Sequence, residues 1–215
     1  MVKKDMAREV EKEFSSWAAD YGKIKFSFWE GDCSKQHLSD QRTAIRLLSP
    51  NKTWNVLDAG CGVGWGTIEL ALKVKPGVAY GIDITKEMIK KSEEHAKKLK
   101  VNNVVFRKAS VLDLPFKDGF FNGCISTHAA HHFYKPVKML SEIRRVLKPG
   151  SKFILVDTCA SSKNIRAFEK KLKREEKAHY KFFRLSEARR LLERAGFKKS
   201  KGYRKNNVMY IIAVA

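Results

Sequence analysis

The chain has 215 residues, 43% of them hydrophobic, and a net charge of +21 from 44 basic and 23 acidic side chains. Its charged first 14 residues lack the apolar core of a signal peptide, and no run approaches the ~18 apolar residues of a membrane span. Four scattered cysteines without a C-x-x-C pair argue against a disulfide framework or a zinc site, so we expect one soluble, cytoplasmic domain without a bound metal.

The N-terminal part is predicted to be helical. Apolar residues recur at spacings of three and four over residues 7–21, which predicts an amphipathic helix that lies on an apolar surface. Residues 22–38 are aromatic and aperiodic, and we interpret them as a loop or lid. A second helix is expected at 39–48 and should end there, because Pro50 cannot continue a helix.

The central part alternates strands with helices. Short β-branched runs occur at 55–57, 78–82, 104–107, 123–126 and 153–156, and helical patterns separate them at 67–74, 86–99 and 137–147. This alternation indicates βαβ crossovers and a parallel sheet covered on both faces. A helix at 186–195 and strands at 198–204 and 208–214, joined by Asn206-Asn207, predict a final antiparallel hairpin. We predict an α/β, Rossmann-like, doubly wound fold.

A glycine run follows the first predicted strand. In VLDAGCGVGWGT, glycine occupies positions 60, 62, 64 and 66. Glycine tolerates positive φ and lets a ligand approach the backbone, at the sheet edge where ligands of such folds bind. The dinucleotide pattern G-x-G-x-x-G fails in both registers, because its third glycine would fall on Trp65 or Thr67.

The pattern that is present, acid-x-G-x-G-x-G from Asp58 to Gly64, resembles the class I S-adenosylmethionine-dependent methyltransferases, in particular the UbiE-like (methyltransferase type 11) group. Five motifs occur in the order of that family: VLDAGCGVGWGT, GIDIT, VFRKASVLDLPF, FNGCISTHAAHHF and RVLKPGSKFILVD. The resemblance implies a seven-stranded sheet with an N-terminal helical lid. It divides the single domain into a lid (1–50), a cofactor-binding core (51–158) and a basic C-terminal part (159–215).

The resemblance also implies a cofactor, S-adenosyl-L-methionine, which is released as S-adenosyl-L-homocysteine. Asp58 and the backbone at Gly60 match the positions that hold its ammonium group, and Asp83 matches the acid that binds both ribose hydroxyls. Ser110 stands where the family usually has an acid for the adenine amino group. The full set implied to bind the cofactor is Asp58, Ala59, Gly60, Cys61, Gly62, Gly64, Asp83, Ile84, Ser110, Val111, Leu112 and Ser126.

On the methyl-transfer side, the resemblance suggests five candidate catalytic residues: Tyr21, His37, Thr127, His128 and Tyr134. A general base is needed only if the acceptor carries a proton, and His128 is the better candidate for it. His131 and His132 are interpreted as packing residues at a helix start rather than as metal ligands, because no carboxylate lies nearby in the sequence.

Three functions stay open at this level. The first is methyl transfer to a small-molecule or lipid-like acceptor. The second is RNA or protein methylation, with the substrate docked on residues 163–205, which carry 17 basic and 5 acidic residues. The third is a non-catalytic cofactor-binding module. The charge has a second interpretation, since Lys-rich surfaces are also typical of heat-adapted proteins.

Overall fold

The computed structural model of the protein describes residues 5–17, 33–161 and 163–215, and the side chains of 8–16, 36–161, 163–174 and 176–215. In chain order, the N-terminal half comprises α1 (Asp5–Trp17), α2 (Cys33–Leu48), β1 (Asn55–Ala59), α3 (Trp65–Lys73), β2 (Val78–Asp83), α4 (Lys86–Lys98) and β3 (Val104–Lys108). The C-terminal half comprises β4 (Phe121–Thr127), a 3-10 turn (Ala130–His132), α5 (Pro136–Val146), β5 (Leu147–Thr158), α6 (Lys163–Glu175), α7 (Leu185–Arg194), β6 (Lys199–Lys205) and β7 (Val208–Val214).

The strands form one sheet in the order β3-β2-β1-β4-β5-β7-β6. The first five strands in this order run parallel, and β7 is antiparallel to both of its neighbours. The chain order reverses between β1 and β4, so the carboxyl ends of these two strands flank the topological switch point, where ligands of open α/β sheets bind. The prediction of a mostly parallel, doubly wound sheet with a final hairpin is confirmed.

Apolar side chains cover both faces of the sheet. On one face, Leu57, Cys124 and Phe153 pack with α5 and α7, and on the other Val56, Ile125 and Ile154 pack with α2 and α3. Strands buried on both faces lose the alternation of a half-exposed strand, and β1 and β4 are accordingly buried at almost every position. The paired faces hold the strand ends at fixed positions, and these ends carry the candidate site.

The predicted elements differ from the structure at α2 and α6, and part of one predicted helix lies outside the described residues. The helix α2 begins at Cys33, so residues 33–38 are helical rather than part of the predicted loop. The reason is that Gln36 donates a hydrogen bond to Asp40 one turn later (2.8 Å), and the half-buried His37 and the buried Asp40 interrupt the expected apolar stripe. α6 was not predicted at all, and α1 is described only to Trp17, so the rest of the predicted helix at 7–21 lies outside the described residues.

Candidate functional site

The loop between β1 and α3 is built from glycines in the left-handed region. Gly60, Gly62 and Gly64 have φ values of 82°, 52° and 86°. A Cβ at Gly60 would lie 2.7 Å from the Cβ of Ala129, and a Cβ at Gly64 would lie 2.5 Å from that of Ser92. Both the backbone conformation and the close approach therefore require glycine at Gly60 and Gly64.

The end of β2 is tied to this loop. The backbone N–H groups of Gly60 and Cys61 both donate to the carbonyl of Ile82 (2.9 Å each). Asp83, the last residue of β2, accepts hydrogen bonds from the N–H groups of Gly62 (3.0 Å) and Thr85 (2.9 Å). Burial raises the pKa of Asp83, although these two hydrogen bonds oppose the rise. One carboxylate thus fixes the loop and lies at the cavity wall.

Asp58 lies behind the loop and is almost completely buried. Its Oδ2 accepts a hydrogen bond from the hydroxyl of Thr67 (2.8 Å), whereas Oδ1 has no hydrogen-bond partner among the described residues. Burial raises the pKa of Asp58 to about 7. A buried carboxylate oxygen without a donor is costly, and a cation or donor from a bound molecule would relieve that cost.

A cavity opens between the glycine loop, the end of β2, the segments after β3 and β4, and α1. Nine of the predicted site residues line it: Gly60, Gly62, Asp83, Ile84, Ser110, Val111, Leu112, His128 and Tyr134. Seven further residues that were not predicted as site residues complete the wall: Val10, Phe14, Met88, Ala109, Ala129, His132 and Phe133. Val10 and Phe14 belong to the apolar stripe of α1, which was expected to lie on an apolar surface.

The helix α1 closes one side of this cavity. The hydroxyl of Ser15 donates to Glu87 (2.7 Å), and Glu13 accepts a hydrogen bond from the backbone N–H of Ala178 (2.6 Å). The ring of Phe14 meets the ring of His132 edge to face, with centroids 4.8 Å apart. Polar contacts thus fix α1 at both flanks while its apolar residues face the cavity. The described part of α1 therefore forms one side of the cavity wall.

Other predicted residues lie behind the cavity wall. The hydroxyl of Ser126 is fully buried and donates to the carbonyl of Ala59 (2.8 Å), so it supports the end of β1. The thiol of Cys61 is also buried, and burial raises its pKa well above the ordinary value. Thr127 is buried at the end of β4. Tyr21 lies outside the described residues.

The hydroxyl of Ser110 takes part in its own turn. It accepts a hydrogen bond from the backbone N–H of Leu112 (3.2 Å), and the N–H of Asp113 donates to the carbonyl of Ser110 (3.1 Å). This turn presents Ser110, Val111 and Leu112 to the cavity in sequence. A hydroxyl keeps one hydrogen and a second lone pair for a further partner.

His128 follows β4 and carries a backbone conformation that is uncommon outside glycine, with a φ of 51°. Its N–H donates to the carbonyl of Val156 (2.8 Å), and its Nε2 lies 2.8 Å from Oδ2 of Asp40 on α2. The buried Asp40 also accepts hydrogen bonds from the hydroxyl of Tyr210 on β7 and from Gln36. Sequence reasoning missed Asp40, because an acid in the middle of a helix gives no motif.

His37 does not line the cavity among the described contacts but stacks on the ring of His128, with centroids 4.1 Å apart. Burial, together with the neighbouring His128 and His131, lowers the pKa of His37 to about 3. His37 is therefore neutral near pH 7 and acts as an aromatic wall for His128.

His131 and His132 have structural partners. Asp157, from β5, lies 2.7 Å from Nδ1 of His131 and also accepts a hydrogen bond from its backbone N–H (3.0 Å). Nδ1 of His132 lies 3.1 Å from the carbonyl of Ala178. In the part of the chain that the structure describes, no group of three or more histidine, cysteine or acidic side chains could hold a metal ion.

The basic segment 163–205 is spread over three elements. α6 lies near the end of the terminal hairpin, α7 packs on α5 and β6, and β6 is an edge strand of the sheet. Its positive side chains are thus divided between separate elements. None of the described helices is long and apolar enough to cross a membrane.

Comparison with known proteins places this geometry in a family. A family model described as a methyltransferase domain matches residues 50–213. An O-methyltransferase of Penicillium expansum is 31% identical over 159 residues, which are 69% of this chain and 56% of that protein. A demethylmenaquinone methyltransferase of Listeria welshimeri is 29% identical over 70% of this chain and 62% of its own length. The chain thus spans less than two thirds of the length of these relatives.

Solved structures show the same fold. The methyltransferase in a complex with the Trm112 activator from Haloferax volcanii has a TM-score of 0.78 and 20% identity, and the match covers 94% of this chain and 97% of that one. This likeness concerns the fold. Because the family model spans most of the chain, the protein belongs to the methyltransferase domain family, within the class I S-adenosylmethionine-dependent methyltransferases that its motifs resemble.

Proposed function

We propose that the protein binds S-adenosyl-L-methionine in the cavity beyond β1 and transfers its methyl group to a small-molecule or lipid-like acceptor. The observation that carries the proposal is the left-handed glycine loop clamped to Asp83 beside the buried, incompletely bonded Asp58. When bound, this cofactor supplies a methyl group on a positively charged sulfur, which needs little chemical help from the protein.

The residues present fit this cofactor. Asp58 offers an unpaired carboxylate oxygen at the place where the family holds an ammonium group. Asp83 retains acceptor capacity for hydroxyl groups beside its two backbone hydrogen bonds, and the turn at Ser110 offers polar groups beside the apolar side chains of Val111 and Leu112. We assign the ammonium, ribose and adenine ends to these three places.

The acceptor side is supported by the rest of the wall. Phe14, Phe133 and Tyr134 line the same cavity as His128 and add aromatic surface to its wall. Such a wall suits an apolar or aromatic acceptor and excludes water from the reacting atoms. The names of the curated relatives, an O-methyltransferase and a demethylmenaquinone methyltransferase, agree with a small-molecule acceptor.

The cofactor site can be tested by calorimetry with S-adenosyl-L-homocysteine. We expect Asp83→Asn to weaken binding by a factor of about 10 to 100, because a hydrogen bond to a charged group contributes roughly 1.5–3 kcal/mol. Asp113→Asn is the matched control, since it makes the same change at an exposed position in the turn after β3. Equal affinities in wild type and Asp83→Asn would remove the site assignment.

The acceptor class can be tested with methyl-labelled cofactor and a lysate of the source organism, with and without nuclease. We expect label in the organic extract. Label in RNA or protein instead would favour docking on residues 163–205 and would refute the small-molecule proposal. Label in no fraction, in the presence of normal cofactor affinity, would favour a non-catalytic module.

A further inference from the structure

The hydrogen bonds around Asp40 assign a proton to one nitrogen of His128. An ionised carboxylate only accepts hydrogen bonds, and Asp40 receives them from Tyr210 and Gln36 as well. Burial alone would raise the pKa of Asp40, but the hydrogen bonds from His128, Tyr210 and Gln36 together lower it. Asp40 is therefore ionised at neutral pH, and the nitrogen that faces it, Nε2 of His128, carries the hydrogen.

A neutral imidazole has one donor and one acceptor nitrogen, so this arrangement leaves the lone pair on Nδ1 of His128. His128 lines the cavity, next to residues that we assign to the cofactor. The backbone at His128 lies in the left-handed region, which residues other than glycine rarely adopt, and such conformations are concentrated at functional sites.

Building on the proposed function, we propose that His128 is the general base of the transfer, that Asp40 and Tyr210 are its positioning residues, and that the acceptor therefore presents a phenolic or enolic hydroxyl group. A thiolate or a carboxylate would need no base, whereas a hydroxyl must lose its proton. The aromatic wall formed by Phe14, Phe133 and Tyr134 suits a planar acceptor of this class.

The proton and electrons balance as follows. The acceptor hydroxyl gives its proton to Nδ1 of His128 while its oxygen forms a bond to the methyl carbon. The carbon–sulfur bond breaks, and its electron pair stays on sulfur, which becomes neutral. The imidazolium that forms lies against the Asp40 carboxylate and afterwards releases its proton to solvent.

Tyr210 strengthens the arrangement from the opposite side of Asp40. Burial and the nearby Asp40 raise the pKa of Tyr210, so its hydroxyl remains a proton donor to the carboxylate. The titratable groups that face or neighbour the His128 ring come from α2, the 3-10 turn and β5: His37, Asp40, His131 and Asp157. His37 is neutral, and the charges of His131 and Asp157 are paired with each other.

The first experiment measures the tautomer of His128 by long-range proton–nitrogen correlation NMR of the cofactor-free protein. We expect hydrogen on Nε2 and none on Nδ1. Tyr210→Phe, which removes one donor to Asp40, should lower the population of this tautomer, and Asp40→Asn should lower it further. Tyr203→Phe is the matched control, because Tyr203 stacks on Tyr210 with centroids 5.0 Å apart and loses the same group. Hydrogen on Nδ1 in the wild type would overturn the proposal.

The second experiment measures whether Nδ1 is reactive towards the cavity. Diethyl pyrocarbonate acylates unprotonated imidazole nitrogens, and peptide mass spectrometry locates the product. We expect His128 to be acylated, Asp40→Asn to slow this about tenfold, and saturating S-adenosyl-L-homocysteine to protect it. If His128 is not acylated, or if Asp40→Asn leaves its acylation rate unchanged, the proposal is refuted, and the pair of His128 and Asp40 only holds α2 against the sheet.

Calorimetry with S-adenosyl-L-homocysteine separates this inference from the proposed function. Asp40→Asn and Tyr210→Phe should retain the cofactor affinity of the wild type within about twofold, because neither residue lines the cofactor end of the cavity. Absence of cofactor binding in the wild type would refute the proposed function, whereas the tautomer and the acylation rate would still decide the state of His128.

Discussion

Two histidines that follow β4, His128 and His131, are three residues apart, and each is paired with an aspartate from another part of the chain. The two pairs differ in what surrounds them. His128 and Asp40 join the cavity wall to α2, with 2.8 Å between Nε2 and Oδ2. His131 and Asp157 join the 3-10 turn to β5, with 2.7 Å between Nδ1 and Oδ1. The distances are almost equal, so distance alone does not distinguish a catalytic pair from a structural one.

The difference lies in the other bonds of each aspartate. Asp157 also accepts hydrogen bonds from the backbone N–H groups of His131 and Thr158, so it fixes main chain as well as a ring. Among the described residues, Asp40 accepts hydrogen bonds from the side chains of His128, Tyr210 and Gln36. A carboxylate that accepts hydrogen bonds from backbone N–H groups fixes the main chain and so stabilises the fold. A carboxylate that accepts them from side chains can orient an imidazole without fixing the main chain.

The largest expected effect separates the two histidines by activity. His128→Asn should reduce the single-turnover rate by about 10²- to 10⁴-fold, the contribution typical of general-base catalysis. His131→Asn should retain most of the rate, because His131 is not part of the cavity wall. The measurement uses labelled cofactor with the acceptor fraction recovered from the lysate, and equal losses in both variants would contradict the distinction.

A smaller effect is expected on stability, with the order of the pairs reversed. Asp157→Asn should lower the free energy of unfolding by about 3–5 kcal/mol, because it removes one partner of a buried charged pair and weakens two backbone hydrogen bonds. Urea denaturation measures this loss. His128→Asn is the comparison variant and should cost less, since it also relieves the strained backbone at that position.

The sequence predicted the sheet topology and the glycine loop after β1. Short runs rich in apolar and β-branched residues predicted β1 and β4, and almost every position of these strands is buried because the sheet is covered on both faces. The glycine spacing predicted the left-handed loop, and the acid at the end of β2 was correctly placed at its side. These features depend on local backbone geometry and therefore leave a local pattern.

The polar network behind the cavity could not be predicted in the same way. Asp40 is 88 residues before His128 in the chain and Tyr210 is 170 residues after Asp40, so only the folded sheet brings them together. His131 and His132 were interpreted as packing residues because no acid is near in sequence, yet Asp157 reaches His131 from β5. Long-range polar pairs have no periodicity, and their partners are found only in three dimensions.

The smallest expected effect is the pH dependence of stability that the structural pair confers. Burial alone would raise the pKa of Asp157, but the charge and hydrogen bond of His131 together lower it to about 2, and the same charge pair raises the pKa of His131 against the effect of burial. An acid with a lowered folded-state pKa contributes stability above the unfolded value near 4, and loses it as pH falls towards 2.

His131 sets the upper end of the pH range in which the pair stabilises the fold, because its pKa is raised in the folded protein. Its contribution is complete below about pH 6.5 and is lost as pH rises through the raised value. The difference in unfolding free energy between wild type and Asp157→Asn should therefore be greatest between about pH 4 and pH 6.5 and should decrease by about 2 kcal/mol on the acid side. Denaturation curves across this range measure it. A difference that does not vary with pH would show that the charge pair of Asp157 and His131 does not stabilise the fold.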